Sequence, residues 1–167
     1  MLFRSSSKLS AKIYAKSLLA QQLQHNWNEL IVHKPFLQTF FPSYPHFQNF
    51  LQSSHKFPSL FDVISGHLPT YSHLYRMNWS TRRTCPICSV EDTMQHFLFS
   101  CFRFHDQRKE CLQRLGIQRQ QFNMEYVYKA FQTLDLHILY TLHSFVEQTI
   151  YQPKQTKMKK RKFEDCN

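Results

Sequence analysis

The chain has 167 residues, a formal net charge of +10 and 42% hydrophobic residues, which is enough for one buried core. Only two glycines occur, against sixteen phenylalanines. This argues against an all-β sandwich or a doubly wound sheet, both of which need many tight turns. It points instead to a mainly α fold: a small helical scaffold with an insertion around its clustered cysteines and a disordered basic tail.

Residues 8–32 read as an amphipathic helix, with Ile13, Ala20, Leu23, Trp27, Leu30 and Ile31 at helical spacing. Lys8, Lys12 and Lys16 align along one side as a basic stripe, and a plain solvated face competes with a functional reading of it. In residues 33–60, Pro35, Pro42, Pro45 and Pro58 punctuate a Phe-rich run, so we expect a loop with one short helix near 46–53, docked onto the body through its phenylalanines. Two short helices follow. One covers Leu60–Ile64 and ends at Gly66; the other lies near Thr70–Met77 with Thr70 as its N-cap.

Beyond the cysteine-rich stretch, a helix is expected over Arg103–Leu115, ended by Gly116. Residues 121–151 carry an apolar helical face with a break near Leu134–Leu136. These elements divide the chain into residues 1–57 (N-terminal helix and connector), 58–116 (metal-binding region), 117–152 (helical segment) and 153–167 (basic tail). The tail carries a net charge of +4, so the rest carries +6. Its Lys159-Lys160-Arg161-Lys162 run resembles a nuclear localisation cluster. With no apolar leader core and no stretch of about 18 apolar residues, we expect an intracellular protein with no membrane partner.

The chemistry concentrates at Cys85, Cys88, His96 and Cys101, a Cys-x2-Cys-x7-His-x4-Cys spacing. Four N/S donors within 17 residues match a closed, tetrahedral structural zinc site. Pro86 suits the tight turn that lets two thiolates grip one ion. Glu91, Asp92 and Thr93 suit the first turn of a helix carrying His96. His96 and Cys101 are five residues apart, so an ideal helix would splay them by about 140°. The helix should therefore end before Cys101 or tighten there. His105 is an alternative fourth ligand, Cys111 reads as packing, and Cys166 as a free thiol in the tail. A redox Cys-x-x-Cys lacks its βαβ context. The His-x-Glu of zinc deaminases is also missing, and with every coordination position filled by protein no catalytic residue is assigned.

Several segments together resemble the zinc-binding (CCHC) region that follows the reverse transcriptase and ribonuclease H domains in polyproteins of non-long-terminal-repeat retrotransposons. They are Ile64-Ser65-Gly66-His67-Leu68-Pro69, Tyr71-Ser72-His73-Leu74-Tyr75-Arg76-Met77, Cys85-Pro86-Ile87-Cys88, Glu91 through Cys101, and Phe104 with Arg108. The resemblance spans about half the chain, from Trp27 to Leu115. It implies the trailing region without the catalytic domains: Glu29 is the only acidic residue before position 60, and no Asp-Asp pair occurs.

The basic balance then suggests RNA or DNA as partner. Arg76, Arg82, Arg83, Arg103, Arg108 and Lys109 flank the knuckle as candidate phosphate contacts, with Trp79, Phe102 and Phe104 as candidate base-stacking residues. The competing expectations are an interaction element that docks onto another polypeptide, such as the reverse transcriptase and ribonuclease H domains, and a non-functional fragment of the retrotransposon element.

Overall fold

The structure is a computed structural model that describes the backbone of residues 3–151 and the side chains of residues 12–150. It is helical, and among the described residues β pairing is limited to an isolated antiparallel bridge between Thr84 and Glu91. Among the described residues eight α-helices succeed one another: α1 (Phe3–Val32), α2 (Pro35–Phe40), α3 (Tyr44–Ser53), α4 (Leu60–Ser65), α5 (Tyr71–Arg76), α6 (His105–Leu115), α7 (Met124–Gln132) and α8 (Leu136–Val146). None is long and apolar enough to cross a membrane. The expected basic tail, with Cys166 and Lys159–Lys162, lies outside the described residues, as does the Lys8 side chain.

The connector departs from the expected loop, for it forms two helices rather than one. Pro35 and Pro45 sit in the first turns of α2 and α3, where a missing N–H removes no helical hydrogen bond. Each proline therefore starts a helix instead of breaking one. The helices place Phe40, Phe41 and Phe50 fully inside. Phe131 of α7 meets all three, with ring centroids 5.0, 6.0 and 5.3 Å away. Trp27 of α1 stacks on Phe47 at 4.7 Å. A single apolar cluster then continues through Leu60, Val63 and Leu98 to Leu139, Phe145 and Val146.

Local signals end the helices where expected. Gly66 and Gly116 adopt left-handed conformations, φ 71° and 64°, after α4 and α6. The Thr70 hydroxyl accepts the His73 N–H at 3.2 Å and caps α5. The break between α7 and α8 falls at Leu134, φ 51°, followed by Asp135, whose carboxylate accepts the Ile138 N–H at 3.1 Å. The Ser59 hydroxyl at the start of α4 lies 2.5 Å from His143 Nδ1 and ties α4 to α8. Glu147 approaches the same Nδ1, at 3.9 Å, so the three do not form a serine–histidine–acid relay, which needs both ring nitrogens.

Candidate metal centre

Between α5 and α6 the chain makes a small loop that owes its shape to backbone pairing. Cys85 N–H donates to Val90 O at 2.8 Å, Ser89 N–H to Cys85 O at 2.9 Å, and Asp92 N–H to Arg83 O at 3.0 Å. Ser89 closes the turn with φ 59°. Cys85 and Cys88 thereby face inward from one end of the loop.

The expected helix does carry His96, but it starts later and winds differently. Of the three residues expected in its first turn, Thr93 caps it, accepting the His96 N–H at 3.2 Å through its hydroxyl, and Glu91 and Asp92 precede it. From His96 to Ser100 the winding is π-helical, and Cys101 N–H donates to His96 O at 2.7 Å. The helix ends before Cys101, as anticipated, yet it widens where tightening was the other option. An i→i+5 bond brings the backbones of His96 and Cys101 back alongside each other, which removes the splay of an ideal helix.

The result is convergence. One donor atom from each of Cys85, Cys88, His96 and Cys101 lies within 4.8 Å of every other, so these four residues could hold a metal ion. The Cys85 and Cys101 sulfurs are 3.8 Å apart. Two metal–sulfur bonds of about 2.3 Å at a tetrahedral angle span about 3.8 Å. His96 Nε2 is buried without a hydrogen-bond partner, Asp92 Oδ1 coming no nearer than 3.8 Å, while Ser100 Oγ lies 3.3 Å from the ring's other nitrogen. A buried ring nitrogen left unpaired is costly unless it ligates. His105 is outside the cluster, and Cys111 is buried in the apolar core, where burial pushes its thiol up to about 12.

Donors surround the sulfurs. Phe102 N–H points to Cys88 Sγ and Arg103 Nε to Cys101 Sγ, each at 3.3 Å. Burial works against a charged Cys85 sulfur, but the backbone N–H groups of Cys88 and Ile87, then Cys101 and Arg103, outweigh it and hold the thiol below its ordinary value. At Cys101 burial dominates and lifts the thiol, with Arg103 opposing. Burial also lowers His96 and so favours its neutral, ligating form; Asp92 opposes this, and Arg103 and Arg108 add to it.

Two arginines expected at a phosphate surface are placed elsewhere. Arg108 is only 4% exposed, and its guanidinium donates to the carbonyls of Leu98 (2.8 Å), Phe97 (3.1 Å) and Cys101 (2.9 Å). It satisfies the end of the π-helical turn and presents nothing to a ligand. Burial opposes its charge, and nearby cysteines, Cys101 first, favour it. Arg103 is half-buried between Asp92, Cys101 and the rings of Tyr71 and Phe104. Arg76, Arg82 and Lys109 are exposed, whereas Arg83 is exposed but ion-paired with Glu91 at 2.6 Å beneath a groove of about 380 Å³. Of the candidate stacking residues, Trp79 and Phe102 are 76% and 71% exposed, while Phe104 packs on Phe97 at 4.7 Å.

Sequence reasoning missed the residue at the centre of this network. Asp92 is fully buried, accepts the Tyr71 N–H at 2.9 Å and binds Arg103 through both carboxylate oxygens. An acidic residue four positions before His96, in the expected first turn, was the available signal, although the helix begins only after it. No protein-family model, no curated protein and no solved structure matches this chain.

Proposed function

We propose that this chain is a non-catalytic zinc-binding module that binds nucleic acid. The convergence of three sulfurs and one imidazole within 4.8 Å carries the metal half of this reading. Cysteine and histidine donors in a tetrahedral set favour zinc over hard cations such as calcium or magnesium. Charge agrees with a divalent ion. Three thiolates and Asp92 supply four negative charges, and Arg103 and Arg108 supply two positive ones. A doubly charged ion completes a neutral cluster, as buried charges require. Four protein donors leave no open position for substrate, so the role is structural.

The nucleic-acid half draws on the net charge of +10 and on the exposed Arg76, Arg82 and Lys109 around the centre. It also agrees with the resemblance to a retrotransposon polyprotein's zinc-binding region. Elemental analysis of the purified chain tests the metal. One zinc per chain, weakened by Cys101→Ser but not by Cys111→Ser, supports the reading; a metal-free wild type purified without chelator overturns it. Binding to RNA and DNA that weakens steeply with salt supports the second half.

A second reading, an element docking onto another polypeptide such as the reverse transcriptase and ribonuclease H domains, draws on α1. There Ile13, Tyr14, Leu18 and Leu19 stand exposed.

A further inference from the structure

We infer that Phe102, at the edge of the metal centre, is a stacking platform for an unpaired base, so that the nucleic acid this chain takes is single-stranded. The inference rests on the nucleic-acid reading above and narrows its substrate class.

Phe102 directly follows the candidate ligand Cys101 and is 71% exposed. Its backbone N–H donates to Cys88 Sγ at 3.3 Å, which ties the main chain at Phe102 to the sulfur cluster. One face lies nearly parallel to the His105 imidazole, with centroids 5.6 Å apart and planes 17° apart. Among the described residues no second ring packs on Phe102. An exposed ring backed on one side suits an offset stack with a nucleobase, whatever that base is.

The cation for the adjoining phosphate is on the same line. Phe102 leads through a 3-10 turn (Phe102–Phe104) into α6, where Lys109 follows His105 by four residues and so lies on the same side of the helix. Lys109 is exposed and makes no ion pair among the described residues, whereas the neighbouring Glu110 is occupied by Arg114 at 2.5 Å. Ring, imidazole and ammonium thus follow one track. A duplex keeps its base faces stacked on one another and could meet this track only through phosphates. Charge selects a polyanion over an apolar protein segment: an exposed ammonium one helical turn beyond the imidazole and a strongly basic chain repay the contact with a nucleic-acid strand.

The experiment is fluorescence anisotropy on the full, zinc-loaded chain with labelled oligouridine, oligothymidine and a duplex of equal length. Both single strands should bind more tightly than the duplex, and their ratio reports whether RNA or DNA is preferred. Phe102→Leu keeps an apolar side chain without a ring and should weaken single-strand binding by about tenfold, leaving duplex binding unchanged. Phe102→Trp should retain wild-type affinity. Equal affinity for single strand and duplex, or wild-type affinity in Phe102→Leu, overturns this inference while leaving nucleic-acid binding in place. Failure of the wild-type chain to bind any of the three probes overturns both.

Discussion

The guanidinium of Arg103 reaches both carboxylate oxygens of Asp92, at 3.1 and 2.9 Å, and does so where Asp92 is fully shielded from water. The same side chain points its Nε at Cys101 Sγ. One arginine therefore joins the candidate metal ligands to the residue that anchors α5, since Asp92 also accepts the Tyr71 N–H. Removing one partner leaves a buried charge unpaired. Asp92→Ala should destabilise the chain by about 3 kcal/mol in urea unfolding, near the lower end for broken buried pairs. Arg103→Lys should not rescue the network, because an ammonium cannot serve two carboxylate oxygens and a sulfur in one plane.

Arg108 offers a contrast with its neighbour. Arg108→Ala would orphan the carbonyls of Phe97, Leu98 and Cys101, and we expect a loss of about 3 kcal/mol together with weakened metal retention. Lys109→Ala should leave thermal stability within about 0.5 kcal/mol, as is usual for an exposed side chain. Its effect should appear instead in the salt dependence of oligonucleotide binding, lowering the slope by about one.

Metal removal should be a folding event. The turn from Cys85 to Val90 leaves Ile87 and Val90 exposed and buries little of its own, so its order depends on ligation, whereas Phe97 and Leu98 hold the His96 turn on the core. A chelator added to the loaded chain should lower the melting temperature and release the amide protection of Phe102 and Cys101 in hydrogen exchange. An unchanged melting curve would argue against a structural metal.

The stripped chain has its own pH dependence. The folded state lowers His96 below its ordinary value of 6.5, because burial penalises the imidazolium. The unfolded chain therefore binds the proton more readily. Stability contributed by neutral His96 is present above pH 6.5 and is lost as pH falls from there through the lowered folded value. Denaturation midpoints of the metal-free chain between neutral and mildly acidic pH would show this slope, and His96→Gln should flatten it.

Ser89 holds a left-handed conformation, φ 59°, in the turn that aims Cys88. A side chain there costs about 1–2 kcal/mol, and glycine's extra unfolded freedom takes back about half of the relief. Ser89→Gly should raise stability by about 0.5–1 kcal/mol without changing metal content, as measured by urea unfolding and elemental analysis.

Much of this protein is local and hence legible in residue order. Helix period and the stop signals of Gly66 and Gly116 act over one or two turns, and the Thr70 cap acts over three residues. All were readable, and so was the grouping of Cys85, Cys88, His96 and Cys101, because a Cys-x2-Cys turn and a nearby helix bring these donors together with little help from the rest of the chain. The amount of phenylalanine foretold an aromatic core. Only the tertiary structure decided which rings fill it, sending Phe104 inward against Phe97 and Phe102 outward onto His105. It also turned Pro35 and Pro45 into helix starts and widened the winding between His96 and Cys101. Above all it drew Asp92, Arg103 and Arg108 out of solvent, where composition alone would leave them. The physical reason is the same in each case. A buried charge or an open ring is stable only through partners distant in the chain, and the distance between α5, the metal-binding loop and α6 is set by the fold as a whole.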